Sequence, residues 1–218
     1  MRSKQSRFTY AMSKRRKTGI IALCLLAVML LAWADRGSVA RRLRAPHQSG
    51  DRAKDHDREK YHGRVFTVAR AIDGDTFDID VPDGGYEHTR VRLLGIDTPE
   101  INSEQFGTMY FGPQAAAVTR ELAFGKPVTV YLDEPNPTRG KYGRLLAYVQ
   151  LPDGRFLNEA LLTEGLAYAD LRFDHSFYNK YNQLEAGTRN LKKGLWQNVT
   201  RNQLPEWLQR MNPKLLNK

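Results

Sequence analysis

Residues 75–144 carry acidic and basic side chains of the kinds that catalytic sites use. Asp75 and Asp97 offer hard carboxylate oxygens, which suit a divalent cation such as Ca²⁺. Glu100 follows closely and is a spare carboxylate that can take a proton from water. Arg92 and Arg144 carry planar guanidinium groups that can clamp a phosphate as its charge grows. Together these residue types predict metal-assisted cleavage of a phosphodiester.

Each of these motifs also has an ordinary structural interpretation. The run 73–75, Asp-Gly-Asp, is typical of a hairpin turn. Residues 97–100 could be a polar strand end, and residues 142–144 could be the mouth of a strand. The joint occurrence of all the motifs in one short domain favours a functional site.

The strand predicted over residues 88–96 has its side chains on alternating faces. Arg90, Arg92 and Leu94 share one face, whereas Val91 and Leu93 lie on the other. This pattern suits a barrel wall that is apolar inside and bears a polar cleft outside.

The net charge of +10 is concentrated at the N-terminus. Of the 34 basic and 24 acidic residues, 15 and 5 lie in residues 1–60, which leaves 19 of each kind in residues 61–218. Affinity for a polyanion must therefore come from a local basic cleft and a bound cation, because the overall field of the folded part is close to neutral.

Other classes of metal site are not indicated. The single cysteine, Cys24, excludes an intramolecular disulfide and a cysteine-based zinc site. The five histidines show no metal-ligand spacing.

Residues 1–34 have the features of an export segment. A basic run at 14–17 precedes sixteen uncharged residues, 19–34, which are too few for a typical membrane span. The ending Ala32-Trp33-Ala34 resembles a cleavage site, so a signal peptide is one interpretation. An uncleaved signal anchor that contacts the membrane through residues 19–34 is the other. Both predict that the folded domain lies outside the cytoplasm, whether secreted, periplasmic or membrane-anchored.

Residues 35–60 are predicted to form a flexible charged linker. They hold eight basic and five acidic residues and no aromatic residue, so they can bury little apolar surface to offset ordering entropy. The folded domain is then expected over residues 61–200, followed by a C-terminal tail at 201–218. The tail contains a weak helical pattern at 205–216.

Turn signals divide the domain into five short strands with inserted helices, which predicts an α+β fold on a small barrel. The predicted strands are 64–72, 76–81, 88–96, 127–132 and 144–151. The predicted helices are 112–124, 156–164 and 177–193, the last ended by Gly194.

Over about residues 65–196 the chain resembles the staphylococcal nuclease (thermonuclease) family. The resemblance rests on seven short motifs: Ala-Ile-Asp-Gly-Asp-Thr at 71–76, Arg-Leu-Leu-Gly-Ile-Asp-Thr-Pro-Glu at 92–100, Gly-Pro-Gln-Ala at 112–115, Lys-Tyr-Gly-Arg at 141–144, Asn-Glu-Ala-Leu at 158–161, Gly-Leu-Ala at 165–167 and Gly-Leu-Trp at 194–196.

The resemblance implies an OB-fold, a five-stranded β-barrel with three α-helices. It implies calcium-dependent cleavage of DNA and RNA that leaves 3′-phosphate ends. The implied residues fall into three groups. The calcium ligands are Asp75, Asp97 and the Thr98 backbone carbonyl; the catalytic residues are Arg92, Glu100 and Arg144; and the substrate contacts are Lys141, Tyr142 and Phe173.

One loop and two single positions depart from the family pattern. The loop 101–111 is poor in lysine, Leu171 stands where one of two aromatic residues would flank the nucleotide, and Gly140 replaces an acidic residue. These changes bear on affinity and substrate preference. The alternative function is a non-catalytic nucleic-acid-binding OB-fold module tethered to the membrane, but such a module would be expected to lack Glu100 or one arginine. No protein partner is indicated, and we expect a monomer.

Overall fold

The structure, a computed structural model, describes residues 46–102 and 107–216, without the side chains of residues 46–52. The predicted export segment 1–34 lies outside the described residues, so the signal-peptide and membrane-contact interpretations remain predictions. Within the part of the chain that is described, no helix is long and apolar enough to cross a membrane.

Five strands close into a barrel, which confirms the predicted α+β fold. The strands are β1 (Arg64–Ala71), β2 (Thr76–Ile79), β3 (Thr89–Leu93), β5 (Pro127–Tyr131) and β6 (Leu145–Gln150). Their order around the barrel is β1-β2-β3-β6-β5. The β3–β6 pair is parallel and the other pairs are antiparallel. A two-stranded sheet of β4 (Ile96–Asp97) and β7 (Tyr168–Ala169) lies beside the barrel.

The barrel interior is filled by the apolar faces of the strands. Val91 and Leu93 of β3 are buried, whereas Arg90 is exposed and Arg92 is half-buried. The alternation predicted for this strand is therefore confirmed over residues 90–93. It places the guanidinium of Arg92 on the outer surface of a closed apolar core.

The third predicted strand is divided in the structure. β3 ends at Leu93 and β4 begins at Ile96, because Gly95 has a φ of +78° and turns the chain. A Cβ at Gly95 would lie 2.3 Å from the ring of His175. The bend directs residues 96–100 away from the barrel wall. β4 then pairs with β7 in the separate two-stranded sheet.

The three predicted helices are present as α2 (Gly112–Ala123), α3 (Leu157–Thr163) and α4 (Tyr178–Asn190). A proline in the first turn of α2 suits the helix start, where its missing N–H is not needed. α4 ends three residues before the predicted end, because Lys192 adopts a left-handed φ of 50°. Gly194 then opens a 3₁₀ turn over Gly194–Gln197.

The predicted flexible linker is wrong for residues 46–60, which form most of helix α1 (Pro46–Tyr61). The compact unit that contains the barrel begins at Lys54. The carboxylate of Asp57 is buried and receives two hydrogen bonds from Arg139, at 2.7 and 2.8 Å. Arg139 also pairs with Asp83 and donates to the carbonyl of Gly143 at 3.0 Å. This end of α1 is held by these ionic contacts and by Tyr61, whose ring is fully buried in the core.

The C-terminal residues do not form a free tail. A second 3₁₀ turn (Arg201–Gln203) leads into helix α5 (Glu206–Met211), which lies inside the weak helical pattern predicted there. Leu204, Trp207 and Leu208 are buried against Tyr168 and Trp196. The domain boundary predicted at residue 200 is thus too early, because these apolar side chains complete a second small core.

Candidate active site

Asp75 is fixed by the tight turn between β1 and β2. The backbone N–H of Asp75 donates to the carboxylate of Asp73 at 2.9 Å, which closes the turn. Gly74 has no room for a side chain, since a Cβ there would lie 2.6 Å from the Thr98 hydroxyl and 2.8 Å from Ala115. The turn therefore packs directly against Thr98 and α2.

The carboxylate of Asp75 is only 1% exposed and accepts several hydrogen bonds. Its Oδ2 accepts from the Thr98 N–H at 2.7 Å and from the Thr98 hydroxyl at 3.1 Å. Its Oδ1 accepts from the Thr76 hydroxyl at 3.1 Å. Thr98 thus lies beside Asp75, and the contacts it makes there come from its N–H and hydroxyl, whereas the predicted calcium ligand is its backbone carbonyl.

Arg92 joins the two carboxylates that are predicted to bind the metal. It lies between Thr76 of β2 and Leu146 of β6 in the barrel wall. One terminal nitrogen pairs with Oδ1 of Asp75, and the other pairs with Oδ1 of Asp97. An acidic oxygen from the β1–β2 turn and one from β4 therefore converge on one cationic group.

This convergence is the structural support for a calcium site. No group of three or more His, Cys, Asp or Glu residues in the described ranges is arranged to hold a metal. Asp75 and Asp97 would supply only part of a calcium shell, which commonly includes backbone carbonyls and waters. Their oxygens are of the hard type that calcium prefers, and in this structure both carboxylates are paired with the Arg92 guanidinium.

Glu100 and Arg144 share the electrostatic environment of this centre. Part of the Glu100 side chain is exposed to solvent. Desolvation of its carboxyl by the surrounding protein, together with the nearby Asp73 carboxylate, raises the pKa of that carboxyl above its ordinary value. Burial and the charge of Arg92 lower the pKa of Arg144, whereas Asp73 and Glu100 act in the opposite direction. The predicted base and the second predicted catalytic arginine therefore lie near Arg92.

Asp73 belongs to the site although its sequence interpretation was only that of a turn residue. Burial raises the pKa of its carboxyl, and the charges of Arg92 and Arg144 oppose this effect. The signal was available in the sequence, because Asp73 stands two residues before the predicted ligand Asp75. Its role in the hairpin concealed its electrostatic role.

The guanidinium of Arg144 is available to a ligand. Among the described residues it has no ion-pair partner, and it lies 5.6 Å from the ring centroid of Tyr142. Lys141 lies on the same loop, with its ammonium 5.5 Å from that ring. Tyr142 is 74% exposed and Phe173 is 62% exposed. The structure thus brings Lys141 and Tyr142 next to Arg144, while Phe173 lies beside Arg172.

Tyr142 and Arg144 line a groove of about 760 Å³. Three further arginines line it, Arg70, Arg90 and Arg120, together with the acidic residues Asp78, Asp83 and Glu87. Arg70 and Arg90 are both paired with Asp78. Asp75, Asp97 and Glu100 do not line it, so the groove adjoins the predicted chemical centre without containing it. An exposed aromatic ring, Tyr86, also lines the groove.

Two residues beyond the predicted set contact Asp97. The indole N–H of Trp207 donates to Oδ2 of Asp97 at 2.7 Å. A terminal nitrogen of Arg172 lies 3.4 Å from the same oxygen. Sequence reasoning missed both, since Trp207 is 110 residues from Asp97 and no local pattern connects them.

Comparison with known proteins agrees with this geometry. Residues 90–198 match the family described as Staphylococcal nuclease homologue. A thermonuclease from Staphylococcus hyicus is 34% identical over 62% of this chain and 77% of its own length. A thermonuclease from Staphylococcus intermedius is 35% identical, with coverages of 72% and 82%. An uncharacterized endonuclease from Escherichia coli O157:H7 is 32% identical, with coverages of 68% and 84%.

The matched region contains Arg92, Asp97, Glu100 and Arg144, whereas Asp75 precedes it and Trp207 follows it. The structure nevertheless places Asp75 and Trp207 in contact with residues of that region. With its barrel, its site and this sequence similarity, the chain belongs to the staphylococcal nuclease family.

Proposed function

We propose that this protein is a calcium-dependent nuclease that hydrolyses phosphodiester bonds in DNA and RNA and leaves 3′-phosphate ends. The observation that carries the proposal is the convergence of the Asp75 and Asp97 carboxylates on the Arg92 guanidinium, with Glu100 and Arg144 in the same electrostatic environment. The relatives named thermonuclease and endonuclease support the class of reaction.

Glu100 acts as the general base on an attacking water. Its carboxyl is exposed, so water can reach it. Its raised pKa makes it a stronger base than an ordinary glutamate. A base of this kind removes a proton as the water attacks phosphorus in line with the leaving 5′ oxygen.

The two arginines bind the phosphate as its equatorial oxygens gain charge. Arg144 has no competing ion pair among the described residues, so its fork can bind two oxygens at once. Arg144 also favours departure of the 5′ oxygen by stabilising the negative charge on it. Arg92 is paired with Asp75 and Asp97. A cation held by these carboxylates would compete with those ion pairs, so that the guanidinium would be free to bind the phosphate.

Calcium, when bound by Asp75 and Asp97, would neutralise phosphate charge and polarise a phosphate oxygen. The site offers carboxylate oxygens and no sulfur or imidazole ligand in the contacts described, which favours calcium over zinc. Thr98 is close enough to Asp75 to belong to the same site.

Metal removal is the experiment that tests this function. The purified protein incubated with DNA or RNA should lose cleavage in excess chelator and regain it when Ca²⁺ is restored. Substrate incubated without added protein, with and without heat treatment, gives the background level of cleavage. Undiminished cleavage in chelator would contradict the metal requirement, and absence of cleavage with Ca²⁺ would favour the non-catalytic binding module.

The groove next to Arg144 provides a path for the substrate strand beyond the cleaved bond. Exposed aromatic rings stack on bases of any sequence, and arginines contact the phosphates. Tyr86, 78% exposed, lines this groove. Tyr86→Ala is therefore expected to raise KM severalfold for single-stranded polymers and to leave cleavage of a dinucleotide unchanged. Equal effects on both substrates would place Tyr86 outside a strand path.

Export remains part of the proposal, on sequence grounds alone. The basic run at 14–17 and the apolar segment 19–34 support a signal peptide or a signal anchor. Sequencing the N-terminus of protein recovered outside the cytoplasm distinguishes these cases, because cleavage after Ala34 would make Asp35 the first residue. Full-length active protein confined to the soluble cytoplasm would contradict both.

A further inference from the structure

Helix α5 and the residues before it bring a tryptophan to the predicted metal site from outside the family match. The match ends at residue 198, whereas Trp207 is 8% exposed and packs in the second core with Leu208. This packing fixes where the indole lies. Its N–H then meets Oδ2 of Asp97 at 2.7 Å.

The contact assigns different partners to the two oxygens of Asp97. Oδ2 accepts the Trp207 N–H and lies 3.4 Å from Arg172. Oδ1 is directed to the guanidinium of Arg92, the position it shares with Asp75. An indole is a neutral donor with no acceptor capacity, so it orients the carboxylate without cancelling its charge.

Arg172 supports the indole from its face. Its guanidinium carbon lies 4.6 Å from the centroid of the Trp207 ring. Its own orientation is fixed by Asp170, whose carboxylate accepts two hydrogen bonds from it at 2.7 and 2.8 Å. The three side chains form a layer behind Asp97, with Trp207 as the member that makes the shortest contact to it.

We infer that Trp207 is a positioning residue for the cation ligand Asp97, and that the C-terminal segment 204–211 is thereby part of the metal site. This inference rests on the proposed calcium-dependent function. Partners behind a metal ligand commonly change metal affinity or activity 10–100-fold when removed. Because linkage is reciprocal, Ca²⁺ that binds Asp97 also stabilises the packed segment.

The test uses Trp207→Phe in the full chain, which keeps an aromatic ring and removes the N–H. Its matched control is Trp196→Phe in the same core, because the indole N–H of Trp196 has no hydrogen-bond partner among the described residues. Calcium affinity is measured by calorimetry, and the Ca²⁺-induced rise in Tm is measured for each protein. Both readouts are independent of cleavage.

We expect Trp207→Phe to weaken Ca²⁺ binding by ~10-fold or more and to reduce the Ca²⁺-induced rise in Tm, with Trp196→Phe close to wild type on both. Equal Ca²⁺ affinity in Trp207→Phe and wild type would overturn the positioning role and leave the proposed function standing. Wild-type protein that binds no Ca²⁺ would overturn the metal site and this role together.

A measurement on the unmodified protein covers the case in which Trp207→Phe does not fold. The indole N–H proton of Trp207 should exchange slowly with solvent, and Ca²⁺ should shift its NMR resonance and slow its exchange further. Fast exchange without a response to Ca²⁺ would show that the contact with Asp97 does not couple the segment to the metal.

Discussion

Glu100→Gln is expected to lower kcat by ~10²–10⁴-fold, because a general base typically contributes a factor of this size. The amide keeps the size of the carboxyl and removes its ability to take a proton. Substrate affinity should change little, since the phosphate contacts come from Arg92 and Arg144. Steady-state kinetics with DNA at saturating Ca²⁺ separate kcat from KM.

The matched control is Glu121→Gln, which removes an exposed carboxylate from α2, away from the contacts described for the site. It should cleave at the wild-type rate. Near-wild-type kcat in Glu100→Gln would rule out the base role of Glu100. An equal fall in kcat in both variants would also contradict a role specific to Glu100.

Arg144→Lys is expected to lower kcat by ~10²-fold, the cost of losing one well-placed donor to the charge that develops in the transition state. Lysine keeps the positive charge but cannot bind two phosphate oxygens through one planar fork. KM should rise less than kcat falls, because the arginine contact tightens as the phosphate gains charge. The same kinetic experiment measures both values.

Arg155→Lys is the control for this substitution. Arg155 is exposed and pairs with Asp153 at a turn, so the variant should retain wild-type kinetics. If Arg144→Lys cleaves as fast as wild type, Arg144 only attracts the polyanion. A large increase in KM with unchanged kcat would place the contact in the ground state.

The barrel and its three main helices could be predicted because their signals are local. Apolar alternation on β3 identified the buried Val91 and Leu93, and turn residues marked the strand ends. The break after Leu93 was not predicted, although Gly95 was visible in the sequence. Gly95 lies against the ring of His175, in the segment before α4 and far along the chain, so the local pattern gave no sign of the bend.

The site was predictable as far as its residues lie in recognisable motifs. Arg92 and Asp97 are brought together by short sequence spacing, and Asp75 joins them through the β2–β3 pairing. Trp207 could not be predicted, since its partner is 110 residues away. Helix α1 was missed for the same reason: its anchor Asp57 is a charged residue whose partner, Arg139, lies 82 residues along the chain.

The anchoring of α1 determines how much of the chain an autonomous nuclease fragment must contain. Arg139 is held between Asp57 of α1 and Asp83, and it donates to the carbonyl of Gly143, next to Arg144. A fragment trimmed to the barrel at Tyr61 would leave this arginine with one carboxylate and would loosen the loop that presents Arg144. A truncation that keeps this contact therefore begins at or before Lys54, and cleavage between Asp57 and Tyr61 is expected to lower activity because it detaches Asp57 from the barrel domain.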